Sequence, residues 1–179
     1  EPGSAKFRST SSASAKATKE RHASMLEEGA KAPDFQLPAD DGSVVKLSKL
    51  KGQSVVLYFY PKDDTSGCTR EAKEFTDLAP DFTKAGAVIY GVSPDSVKSH
   101  DKFRCKYDLA VRLLSDEEKE VATAYGVWVE KSMYGKKYMG VERSTFLIDS
   151  KGKIAKIWRK VSVPGHADDV LAAAKTLKT

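Results

Sequence analysis

The sequence predicts an α/β protein, a three-layer sandwich around a central mixed sheet with an N-terminal hairpin. Three observations carry this. Val55–Tyr60 and Ala87–Val92 are short, nearly continuous apolar runs of strand length, the pattern of strands covered on both faces. Each is followed by a charged stretch whose apolar residues recur at helical spacing. The last third closes with two further strand-like runs around a turn and a final helix, so strands alternate with helices as layered α/β folds require.

Taken in order, the segment Ala32–Leu47 alternates around Asp40-Asp41-Gly42 and predicts a hairpin of Phe35–Leu37 against Val44–Leu47. Val55–Tyr60 is the first buried strand. From Cys68 to Lys84, Ala72, Phe75, Leu78 and Phe82 fall on one helical face, with Gly86 as the stop and Pro80 expected to kink or split the helix. Ala87–Val92 is the next strand, and Ser93-Pro94-Asp95-Ser96 starts a helix that runs to Tyr107. Leu113-Leu114 reads as a short link, and Asp116–Tyr125 as a helix closed by Gly126. Ser144–Ile148 and Ile154–Trp158 are strands about the turn Asp149–Gly152, and Ala167–Leu177 is the last helix. "YMG" and Trp158 read as core or surface aromatics.

With 179 residues the chain fits one domain and an appendage. The appendage is residues 1–24, rich in Ser, Ala, Thr and Lys, with Phe7 their only large apolar residue. Such a segment cannot bury enough surface to offset chain entropy, so it is expected to be a flexible leader ahead of a domain over 25–179. It reads as an expression-vector leader, from the cloning-scar look of Glu1-Pro2-Gly3-Ser4, or as a Ser/Arg-rich targeting remnant. It also holds five Lys/Arg against two Glu, which is +3 of the net +5. The remaining +2 is spread among interspersed Lys and Glu, so the composition gives no phosphate-tracking stripe and points away from nucleic acid. At 40% apolar and 31% charged, with no apolar run near the ~18 residues of a membrane span, it reads as a soluble globular protein.

Two cysteines, Cys68 and Cys105, are too few for a disulfide-stapled scaffold, and no CxxC or CxxH pair offers a metal site. Cys68 stands where "FYPKDDTSGCTREAKEF" passes from strand to helix. In the first turn of a helix, unpaired N–H groups and the positive end of the dipole favour an anion, here a nucleophilic thiolate. Thr65, three residues earlier, is placed to aim its hydroxyl at the sulfur and to help cap the helix, and Pro61 fixes the backbone entering the turn. Ordinary roles exist for all of them: Pro61 as a strand stop, Thr65 as a cap, Cys68 as filler, Glu71 as a first-turn acid. Their joint spacing around a helix-terminal cysteine favours chemistry. The three histidines, His22, His100 and His166, lack an adjacent Ser/Asp arrangement, and His100 reads as structural. No GxGxxG phosphate loop occurs.

Pro61, Thr65 and Cys68 match Pro-x-x-x-Thr/Ser-x-x-Cys, the active-site signature of the peroxiredoxins, which the chain resembles. "GVSPDSVKSHDKF", "LLSD", "SMYGKKYMGVERSTFLID" and "WRKVSVPGHADDVL" extend the likeness to the Q-type, or bacterioferritin-comigratory, branch over Glu27–Leu177. The resemblance implies a thioredoxin-like fold and a cytoplasmic, monomeric peroxidase of hydrogen peroxide and organic hydroperoxides, without metal, haem or flavin. It casts Cys68 as the peroxidatic cysteine, Thr65 as the hydrogen-bond donor or relay to the peroxide, and Pro61 as a shield for the sulfenate. Arg143 in "VERSTF" becomes the arginine that orients substrate and thiolate, with Glu71 as its holder. A thioredoxin or similar dithiol is the implied reductant.

Many Q-type enzymes carry a resolving cysteine five residues after the peroxidatic one, and here that residue is Lys73. Cys105 is then the only internal candidate, and the branch has a form with a resolving cysteine on the corresponding helix, offset by about one residue. At about 100° per residue, Val97, His100, Phe103 and Tyr107 share one helix face while Cys105 points away, so Cys105 is expected to be accessible. The rival readings are a one-cysteine enzyme resolved by an external thiol, and a non-enzymatic redox-sensing module on the same fold.

Overall fold

A computed structural model describes residues 26–177; the leader expected over 1–24 lies outside them. The central sheet has five strands in the order β5-β4-β3-β8-β9: Arg112–Ser115, Ala87–Ser93, Ser54–Phe59, Ser144–Ile148 and Ile154–Trp158. β3, β4 and β5 run parallel, and β8 and β9 are antiparallel, which makes the sheet mixed as expected. All six residues of β3 are buried, because the strand lies mid-sheet and both faces are covered.

One face packs Val56, Tyr58, Leu113 and Leu147 against Ala72, Phe75 and Phe82 of α1 (Ser66–Lys84), Phe103 of α2 (Val97–Tyr107) and Val170 of α4 (His166–Thr176). On the other, Val55, Leu57, Phe59 and Phe146 meet Leu37 of β1 (Gln36–Pro38), the 3₁₀ turn Leu47–Leu50, and Val121 of α3 (Glu120–Ala124). β1 pairs with β2 (Val44–Lys46), so the N-terminal hairpin forms with its first strand one residue later than expected. Gly91 is required where it stands: a Cβ there would lie 2.7 Å from the ring of Tyr58 on the neighbouring strand.

Four expectations need correction. Leu113-Leu114 is not a link but part of β5, which pairs with β4 as an edge strand; four residues with no alternation gave no strand signal. The helix expected over Asp116–Tyr125 shrinks to α3, since Lys119 adopts a left-handed backbone (φ 58°) and Asp116 accepts from the N–H groups of Val121 and Ala122. Pro80 does not split α1, which runs unbroken through it. Lastly, a separate ribbon of β6 (Trp128–Met133) and β7 (Lys136–Val141) occupies the "YMG" region. Its turn residues Tyr134 and Gly135 both have positive φ, as a two-residue hairpin turn demands, but Tyr in place of Asn or Asp masked it.

Candidate active site

β3 ends at Phe59, and Tyr60-Pro61 open a loop that returns as the first turn of α1. Thr65 occupies the N-cap position with extended backbone, and Cys68 is the third residue of the helix. Ser144 of β8 pairs with Phe59, so the residue before it, Arg143, stands at the same end of the sheet as that loop. Arg143 is thereby brought to Cys68 and Glu71, which share the first turns of α1. Arg143 donates from Nη2 to the sulfur of Cys68 at 3.2 Å and from Nη1 to Oε1 of Glu71 at 2.6 Å. Cys68 and Glu71 are each 1% exposed.

A buried thiol in the first turn of α1, touched by a guanidinium, faces both the positive end of the helix dipole and a full positive charge. Burial pushes Glu71 up to about 7, although Arg143 pulls against it. Its second oxygen, Oε2, is buried with no hydrogen-bond partner among the described residues. Arg143 is lowered by burial, but Glu71 and Cys68 outweigh that and raise it above its usual value, so it stays charged throughout. Gly67 leaves room for it: a Cβ there would come within 3.2 Å of Arg143 Nη2.

Thr65 differs from its expectation. Its hydroxyl donates to the Lys62 carbonyl at 2.9 Å and makes no cap bond, so the side chain is turned back along the loop. Pro61 is exposed at the loop's start. Cys105 is exposed on α2, as its place on the helix wheel predicts, with its sulfur 3.7 Å from Oδ1 of Asp101.

Sequence reasoning missed the layer behind the loop. Asp63 accepts from Tyr60 Oη (2.6 Å) and Ser99 Oγ (2.8 Å) and lies 2.7 Å from Nδ1 of His100, which is wholly buried. Nε2 of His100 reaches the Leu114 carbonyl at 2.9 Å. This confirms a structural His100. Asp63, Asp95 and His100 offer ligand atoms within 4.8 Å of one another, but they are engaged: Asp95 takes Ser93 Oγ and the Asp63 N–H, and Asp63 the groups above. The only sequence hint was a pair of aspartates where one turn residue would serve.

A thiol held at a helix start by a guanidinium, on a sheet with this strand order, defines a cysteine-based oxidoreductase site. The AhpC/TSA family model matches residues 29–157. The chain is 51% identical over 152 residues to peroxiredoxin Bcp of Bacillus subtilis, covering 85% of this chain and 97% of that protein. To peroxiredoxin Bcp of Xanthomonas campestris it is 50% identical over 151 residues, 84% of this chain and 94% of the relative. Solved structures agree. Peroxiredoxin Q of Xanthomonas campestris superposes with a TM-score of 0.76 at 50% identity, covering 79% of this chain and 89% of that one. The bacterioferritin comigratory protein of the same organism, described for its alkyl peroxide reduction activity, gives 0.79 at 47% identity over 83% and 98%. The chain belongs to the AhpC/TSA family of peroxiredoxins. Its branch is the Bcp, or Q-type, one, its fold is thioredoxin-like, and its class of activity is thiol peroxidase.

Proposed function

We propose that the protein reduces hydrogen peroxide and organic hydroperoxides at Cys68 and regenerates the thiol through a disulfide with Cys105. The observation that carries this is the 3.2 Å contact between Arg143 Nη2 and the Cys68 sulfur. The thiolate attacks one peroxide oxygen, the O–O bond breaks, and the sulfur, oxidised by two electrons, becomes a sulfenic acid. The other oxygen leaves as hydroxide or alkoxide and takes a proton to become water or an alcohol. Arg143 stabilises the negative charge as it moves from sulfur to the leaving oxygen. Thr65 has committed its hydroxyl proton to Lys62 and so meets a hydroperoxide as acceptor, taking the O–H of the substrate. Pro61 shields the sulfenate, and Glu71 keeps Arg143 in place.

Cys105 then condenses with the sulfenic acid, and a thioredoxin-type dithiol reduces the disulfide by exchange. The accessibility of Cys105 supports this role. No helix among the described residues is long and apolar enough to cross a membrane. From the likeness to the Bcp branch, we read the protein as a cytoplasmic monomer. A peroxide-decay assay with thioredoxin and its reductase tests the whole: wild type consumes peroxide and Cys68→Ser does not. Equal inactivity would instead favour the redox-sensing module, and undiminished turnover of Cys105→Ser would favour resolution by an external thiol.

A further inference from the structure

Tyr107, on the last turn of α2, is held to the Cys68 loop and to α1 at once. Its hydroxyl donates to Asp64 Oδ1 at 2.6 Å, and its ring lies under the ammonium of Lys73 at 5.1 Å and of Lys106 at 5.2 Å from the centroid. Lys106 adds an ion pair to the other oxygen of Asp64 at 2.8 Å. Asp64 presents its carboxylate from a left-handed backbone (φ 58°), four residues before Cys68. The earlier turns of α2 have separate anchors, Ser99 and His100 on Asp63 and Phe103 in the core, and Arg104 ties the start of the last turn to the buried Asp40 at 3.2 Å. The residues after Cys105, Lys106 and Tyr107, are the ones that tie this turn to Asp64 and so to the Cys68 loop.

Two residues along a helix are about 200° apart, so Cys105 points nearly opposite to Tyr107. While Tyr107 rests on the loop, Cys105 is turned away from it. Cys68 is meanwhile buried under Arg143, and a disulfide needs Cα atoms within roughly 7 Å and side chains directed at each other.

We propose that Asp64 and Tyr107, covered by Lys73, form a latch that holds the last turn of α2 closed and so sets the rate of disulfide formation. This rests on the reading of Cys105 as the resolving thiol. Once Cys68 is a sulfenic acid, Tyr107 and Lys106 leave Asp64, the turn unwinds, and Cys105 swings toward the loop. Its sulfur attacks the sulfur of Cys68, the S–O bond breaks, and the departing hydroxide leaves as water with the proton of the Cys105 thiol. Asp64 and Tyr107 are positioning residues in this step. Lys73 of α1, set over the Tyr107 ring, helps to restrain the helix that carries Cys105.

The test compares full-length wild type with Tyr107→Phe and Asp64→Asn, Asn being a residue that tolerates the left-handed backbone. The reduced proteins are mixed with hydrogen peroxide, quenched with a thiol-blocking reagent at successive times, and the sulfenate and disulfide forms resolved by mass. Sulfenate formation is expected to match wild type, while the disulfide forms about three- to tenfold faster, the effect of losing one exposed charge-assisted contact. Hydrogen exchange of the reduced variants should quicken at residues 105–109 and stay unchanged at 97–101. A Cys68–Cys105 disulfide that forms no faster in either variant overturns the latch alone. Absence of that disulfide from all three proteins overturns the resolving role of Cys105, and the latch with it.

Discussion

Arg143 Nη2 lies 3.2 Å from the sulfur of Cys68, a contact closed across 75 positions of sequence by the antiparallel pairing of β8 with β3. The sheet register therefore sets the reactive geometry: Ser144 opposite Phe59 brings the residue before one to the loop after the other. Replacing Arg143 by Gln should slow sulfenate formation about 100-fold, the usual cost of removing a donor aimed at developing charge. Arg143→Lys should also lose at least about tenfold, because an ammonium cannot serve Glu71 and Cys68 in one plane. Stopped-flow mixing with hydrogen peroxide measures both.

Glu71 predicts an unusual pH dependence. Its proton is held up to about 7 in the folded protein against 4.5 in an exposed chain. Between these values the folded state binds more protons than the unfolded one, so this group lowers stability as pH rises through the window. Relative to Glu71→Gln, wild type should lose about 2 kcal/mol between pH 5 and pH 8. Urea unfolding of both proteins at several pH values reads the difference. Above pH 7, where Glu71 is ionised, the same variant should also react more slowly with peroxide, because Arg143 loses its charged anchor.

His166 predicts the opposite sign. Burial holds it down to about 4 against the ordinary 6.5, and it shares a buried 2.7 Å hydrogen bond with Thr145. The unfolded chain takes up the proton first, so the stability due to neutral His166 is lost as pH falls from about 6.5 to about 4. His166→Gln, which keeps a hydrogen-bonding group beside Thr145, should flatten the acid limb of the unfolding midpoint curve in that window.

Gly67 separates reactivity from stability. An alanine Cβ would press on Arg143 Nη2 at 3.2 Å, while alanine favours the helix over glycine by about 0.5–1 kcal/mol. Gly67→Ala should slow the reaction with peroxide about three- to tenfold without lowering the urea midpoint. A fall in both would mean that the backbone, and not the guanidinium, had moved.

Local signals gave most of the fold and the heart of the site. Val55–Tyr60 announced a buried strand because it is covered on both faces, and Cys68 announced itself by its place at a helix start. Arg143 was reachable only through its resemblance to a family motif, since nothing near it in sequence distinguishes it from a solvated residue at a strand start. β5 was too short to show a period, and the β6–β7 turn uses Tyr134-Gly135, a pair outside the usual hairpin preferences. The hydroxyl of Thr65 turned back to Lys62 because a single side-chain torsion decides it, and sequence does not encode that torsion. The Asp63–His100 and Asp64–Tyr107 contacts join positions 37 and 43 apart, which become neighbours only once α2 packs beside the loop.

The most direct test is peptide mapping by mass after the reduced protein has met one equivalent of hydrogen peroxide. A single disulfide linking Cys68 to Cys105 in wild type, and a sulfenic acid on Cys68 in Cys105→Ser, is the predicted result. Peroxide consumed while Cys68 remains a free thiol would contradict it.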